Sequence, residues 1–206
     1  MANAPPPSSF AATAMTMTSL VSPEWVTLTV PSPSGGAVTD SIGLHRRCSA
    51  SSPSSAAGGG GGGGRTCAAF PERWRCEGDE RAFCSMWRTT GFLMNLAVVA
   101  ELAALAGFVV VLAGGRVKRE GSGWKALGGM LAVVAAAEFL AMAIVAYAFD
   151  HDDLFLVPGY RLDLSWYLCT FSAGIALLAG VGLAISALVL PPEDGYQLLL
   201  GESDRV

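Results

Sequence analysis

Two carboxylic acids stand where a charge is most expensive. Glu101 lies near the middle of the apolar stretch Gly91–Ala113 and Glu138 near the middle of Ala126–Phe149, and each is the one charged residue in its stretch. A carboxylate at the centre of a bilayer costs about 3 kcal/mol on insertion scales. Two such groups at similar depth on adjacent helices could share a proton, with one carboxyl donating to the other. The chemistry would then be a proton or cation relay. The competing role is interhelical hydrogen bonding between neutral carboxyls, worth about 1 kcal/mol or less each. A relay normally uses a chain of ionisable groups, and the apolar stretches otherwise hold no Lys, Arg, Asp or His, only Asn95 and scattered hydroxyls. Packing therefore outweighs transport.

The cysteines are the second reactive set. Cys48, Cys67, Cys76 and Cys84 all precede the apolar stretches. In an oxidising compartment four cysteines allow two bridges and three connectivities. The even count favours at least one disulfide over free thiols, and no paired CxxC unit points to a metal site. Cys169, inside a third apolar stretch, reads as a small packing residue.

Weaker candidates reduce to bland readings. Asp150-His151-Asp152-Asp153 could offer oxygens to a divalent cation, but its spacing matches no calcium loop and a solvated acidic turn accounts for it. Tyr196-Gln197-Leu198-Leu199 has the form of a sorting signal that arises often by chance. The run of seven glycines lacks the Lys-Ser/Thr that follows a phosphate loop. His45 and His151 are the only histidines, and no nucleophile–base set appears. No residue pattern points to an enzyme, a cofactor or a metal. A net charge of −4 without a basic patch gives no indication of nucleic-acid binding.

The elements that must position these residues follow from the distribution of apolar side chains. Gly91–Ala113, Ala126–Phe149 and Trp166–Leu190 are 23 to 25 residues long and lack polar faces. At ~1.5 Å per residue each reaches roughly 35 Å, enough to cross a ~30 Å hydrocarbon layer. Trp87, Trp124, Tyr147, Trp166 and Tyr167 lie at the ends, where amphipathic rings favour the headgroup layer. Pro191 and Pro192 close the third stretch. Small residues four apart, Gly128, Ala132 and Ala136 on one helix and Ala176, Gly180 and Ala184 on another, allow close backbone approach inside the bundle.

Charge sets the expected orientation. Arg116, Lys118, Arg119 and Lys125 place the first connecting loop inside, and the acidic loop Asp150–Ser165 outside. The cysteine-bearing segment then lies outside and the tail inside, although Arg73, Arg75, Arg81 and Arg88 on the outer side run against the rule. Residues 1–22, rich in Ala, Pro, Ser and Thr, hold at most 12 consecutive weakly apolar positions and read as disordered or as the remnant of a first span. Trp25–Val30 alternates as a short strand. Residues 49–64, Ser/Ala/Gly-rich, read as a flexible insertion.

Pro23-Glu24-Trp25, Gly43-Leu44-His45, Cys48 and Cys67 together resemble the first extracellular segment of the claudin and peripheral-myelin-protein superfamily, with its fungal plasma-membrane relatives. That segment carries a tryptophan after the first span and then a Gly-Leu-Trp-x-x-Cys…Cys signature. The resemblance implies a small extracellular β-sheet, a first strand starting at Trp25, and a Cys48–Cys67 disulfide. His45 replaces the family's second tryptophan, and the Ser/Gly insertion widens the cysteine spacing. The expected fold class is therefore an all-α membrane bundle with three clear transmembrane helices, or four with a truncated first one, plus a disulfide-linked extracellular β segment at 23–89. The membrane domain covers 90–190, and 191–206 forms a cytoplasmic tail. The expected function is organisation of the membrane or of cell-surface contacts by lateral association, as a homo- or hetero-oligomer in the lipid bilayer of the plasma membrane. The alternatives are a small transporter or channel-type subunit using Glu101 and Glu138, and an accessory subunit of a membrane complex.

Overall fold

The computed structural model describes residues 7–31, 37–51, 65–72, 74–78, 81–113 and 123–189. The insertion beyond Ser51, the basic loop up to residue 122, Pro191, Pro192 and the tail with Tyr196 lie outside the described residues.

Among the described residues four helices pack as a bundle: α1 (Pro7–Val21), α2 (Arg81–Ala113), α3 (Gly123–His151) and α4 (Leu164–Val189). Three of them contain segments long and apolar enough to cross a membrane, Arg81–Val110, Lys125–His151 and Leu164–Ser186. Outward-facing Phe92, Val99, Phe171 and Leu178 give them the apolar surface that lipid requires. The protein is an integral membrane protein on this ground.

Helix α1 stands where residues 1–22 read as disordered or as the remnant of a first span, and over Pro7–Val21 it corrects the first of these readings. Pro7 opens it, where a missing N–H costs nothing, and Pro23 prevents its continuation. At 15 residues it is roughly 22 Å long, shorter than a ~30 Å hydrocarbon layer. It packs against α4 and α2. Three of the hydroxyl residues that argued for disorder face protein: Thr13, Thr16 and Ser19 recur at helical spacing and are all buried, whereas Thr18 is exposed.

A five-stranded antiparallel sheet sits at the end of the bundle where α2 begins, α3 ends and α4 begins. Its strands are β1 (Val26–Pro31), β2 (Ala37–Ile42), β3 (Arg46–Ser51), β4 (Arg65–Ala69) and β5 (Tyr160–Leu162), in the order β4-β3-β2-β1-β5. The first three residues of the expected insertion, Ser49–Ser51, belong to β3. Strand β5 comes from the acidic connection between α3 and α4, so Leu28 faces Tyr160 and Val26 faces Leu162 across the sheet. Asp150, His151 and Asp153 of the expected solvated turn are exposed, whereas the connection beyond them is structural. Asp163 accepts bonds from the Leu164 N–H and the Thr27 hydroxyl, and so starts α4 while holding β1. Asp152 accepts from the Leu154 N–H and opens a short 3₁₀ turn, Asp153–Phe155.

The sheet and bundle share one core. Trp25, Val26, Ile42 and Leu44 from the sheet side meet Phe70, Phe83, Trp87, Met94, Val145 and Phe155. Trp87, expected in the headgroup layer, is 1% exposed, meets Phe70 edge-on and Phe83 and Phe155 at a tilt, and donates its Nε1–H to the Gly43 carbonyl at 3.2 Å. The reason is that α2 starts at Arg81, ten residues before the apolar stretch, and carries Trp87 beneath the sheet. Tyr147 and Tyr167 do remain about half exposed.

Candidate functional site

The four helices converge on a cluster of side-chain oxygens. Each helix contributes one: Thr16 from α1, Glu101 from α2, Glu138 from α3 and Ser172 from α4. The Thr16 Oγ1 lies 2.7 Å from Glu138 Oε1, 3.1 Å from Glu101 Oε1 and 2.6 Å from Ser172 Oγ. Ser172 Oγ also reaches Glu101 Oε1 at 3.3 Å and the Ala12 carbonyl at 3.2 Å. Glu101 is 5% exposed and Glu138 0%, and Thr16 and Ser172 are fully buried. The two glutamates are thus brought together, but neither bonds the other directly. Thr16 bridges them, which corrects the expectation of one carboxyl donating to the other. The reason is steric and topological: α1 lies against both α2 and α4 and places a short hydroxyl between the two longer acids.

Sequence reasoning missed Thr16 and Ser172. A signal was available in the spacing. Thr13, Thr16 and Ser19 recur every three residues, while Ser165, Cys169 and Ser172 recur at four and three, and the last three are all fully buried. These are complementary polar stripes. Ser19 donates to the Ser165 carbonyl at 2.7 Å one turn along from the Thr16–Ser172 contact. Cys169 is free and buried, with its thiol 3.6 Å from Met94 Sδ, as a packing residue should be.

The second constellation seats the sheet on the bundle. Trp25 is fully buried and donates its Nε1–H to the Ser19 carbonyl at 2.8 Å. Gly43 closes the β2–β3 turn, accepting the Trp87 bond while its own N–H donates to the Arg46 carbonyl at 2.8 Å. A Cβ on Gly43 would sit 2.5 Å from Pro23 Cα, so only glycine fits this approach. Leu44 fills the shared core, whereas His45 is exposed beside Gly91 of α2. Cys48 and Cys67 face each other across β3 and β4 and form a disulfide, and Cys76–Cys84 ties the turn after the sheet to the first turn of α2. Across β2 and β3 the Asp40 carboxylate accepts from Arg47 and Ser49, and the bond to Asp40 raises the Arg47 guanidinium above its ordinary pKa.

The small-residue stripes behave differently from the expectation of internal packing. Ala176 is buried beside Val134, and Gly180 lies close to Leu131, but Ala132, Ala136 and Ala184 face outward. Gly128, Ala132, Ala176, Gly180 and Ala184 line an outward groove of about 460 Å³ between α3 and α4, with Lys125 at its lining. Small side chains let the helices touch at Ala176 and leave that groove open beyond it. Among the described residues no group of three His, Cys, Asp or Glu could hold a metal ion, the acidic residues from Asp150 to Asp153 included.

No family model matches this chain, and no curated protein matches it either.

Proposed function

We propose that this chain is a claudin-like protein that organises membrane domains or cell-surface contacts of the plasma membrane by lateral association. The observation that carries the reading is the sheet itself. Five antiparallel strands, cross-linked by Cys48–Cys67, stand on the bundle through Trp25 and the Gly43-Leu44 turn, the residues on which the family resemblance rests. A rigid folded sheet at one end of a membrane bundle is suited to holding a surface in place rather than to turnover. Leu156 and Val157, 67% and 53% exposed on the connection leading to β5, add apolar side chains of the kind that contact surfaces bury. The hydrogen-bonded state of Glu101 and Glu138 supports a packing role for them over a transport pathway, because each is tied to hydroxyls of neighbouring helices.

The test is localisation of the tagged full chain at borders between expressing cells. Enrichment where two expressing cells touch is expected, together with energy transfer between donor- and acceptor-tagged copies in one membrane. A uniform distribution with no energy transfer above that of an unrelated membrane protein would refute the proposal. The pair Leu156→Ser and Val157→Ser is expected to reduce border enrichment without changing surface delivery.

A further inference from the structure

We propose that Glu101, Glu138, Thr16 and Ser172 form a proton-binding site inside the membrane bundle, in which a proton held by the carboxyl pair makes the bond to Thr16 that the two hydroxyl protons cannot. The argument is a count of donors. Six close oxygen contacts converge here: Thr16 with Glu101, Glu138, Ser172 and the Ala12 carbonyl, and Ser172 with Glu101 and the same carbonyl. With both carboxyls ionised, two hydroxyl protons are the only donors. If Thr16 donates to Glu138 at 2.7 Å, and Ser172 donates to Thr16 at 2.6 Å, then Glu101 Oε1 meets Thr16 Oγ1 at 3.1 Å with lone pair against lone pair. A proton on Glu101 turns that contact into a bond. Thr16 then donates once and accepts twice, which is its full capacity. The mirror arrangement, with the proton on Glu138 and Thr16 donating to Glu101, uses the same contacts. The proton therefore belongs to the pair, with Thr16 as its bridge.

A second observation is independent of that count. Among the described residues Glu101 Oε2 and Glu138 Oε2 have no hydrogen-bond partner, although the two residues are 5% and 0% exposed. A buried ionised carboxylate with an unpaired oxygen is costly, and a proton on Oε1 removes the charge without requiring additional space, leaving Oε2 as a neutral carbonyl oxygen. Among the described residues the surroundings contribute no compensating cation. Helix α1 bears no charged side chain, the facing titratable group on α4 is the Cys169 thiol, and α2 and α3 bring only the two glutamates at this depth. The inference does not depend on the contact function proposed above.

Infrared spectroscopy of the full chain in lipid bilayers tests it, in neutral buffer where exposed carboxyls are ionised. The wild type is expected to show a protonated-carboxyl C=O band that shifts in D₂O. That band is expected to disappear in the double variant Glu101→Gln, Glu138→Gln, whose amides preserve size and supply donors. Thr16→Val, which keeps both carboxyls, is expected to move the band rather than abolish it, and this holds the test open should the double variant not fold. Absence of the band in the wild type, or its persistence unchanged in both variants, would overturn the proposal.

Discussion

Removing the hydroxyl of Thr16 is the sharpest test of the four-helix oxygen cluster. Thr16→Val keeps the shape of the side chain and deletes the one atom that all other members touch. Glu138 Oε1 then loses its 2.7 Å bond to Thr16, while Glu101 Oε1 keeps Ser172 at 3.3 Å and Ser172 keeps Ala12. A lost interhelical bond in a bilayer costs about 0.6 kcal/mol, and a buried acceptor left unpaired adds roughly 1–3 kcal/mol. The expected loss is about 2–3 kcal/mol, read by reversible unfolding of the protein in bicelles. Ser172→Ala should cost about 1 kcal/mol or less, since Thr16 retains Glu138, Glu101 and the Ala12 carbonyl. Thr18→Val on the same helix is the control. Thr18 is exposed and bonds only the Ala14 carbonyl of its own helix, so its change should stay within about 0.5 kcal/mol. Adding Glu101→Met and Glu138→Met to Thr16→Val should recover most of the loss, because replacing both carboxyls by apolar groups removes the unpaired carboxyl oxygens while Ser172 keeps the Ala12 carbonyl. The reasoning fails if Thr16→Val is no worse than Thr18→Val, or if the triple variant is less stable than the single one.

Two further outcomes follow from the seat of the sheet. Gly43→Ala forces a Cβ to 2.5 Å from Pro23 Cα and 3.0 Å from the Ser22 carbonyl, both backbone, and should cost at least ~1–3 kcal/mol of stability. Gly129→Ala, with nothing within 4 Å, should be neutral or stabilising by up to ~1 kcal/mol, and equal effects of the two would contradict the close approach. Replacing Cys48 and Cys67 by Ser should cost about 3 kcal/mol, and replacing Cys76 and Cys84 somewhat less, since the loops they close span 19 and 8 residues. Peptide mapping without reduction should recover those two pairs, with Cys169 as the free thiol that labels only after unfolding. Any cross-connected pair would refute the sheet register at Cys48 and Cys67.

What the residues alone determined is set by length, alternation and composition. Three apolar stretches that lack polar faces have one physical outcome, and the helices follow those stretches to within three residues at each end, apart from the upstream extension of α2. Trp25–Val30 announced a strand by its alternation, and β1 occupies Val26–Pro31. The depth of Glu101 and Glu138 singled them out because an acid in hydrocarbon is too costly to be incidental. The tertiary structure decided the rest. Nothing local marks Tyr160–Leu162 as a fifth strand, since a three-residue strand forms only when β1 is already there to pair with it. The helix at Pro7–Val21 was hidden for a related reason. Hydroxyl residues look like disorder when read alone, and they become an interface only once Thr16 meets Ser172 and Ser19 meets the Ser165 carbonyl. The pairing of the two glutamates through Thr16 belongs to the same category. Sequence placed two acids at one depth, and only packing could show that a third helix supplies the oxygen between them.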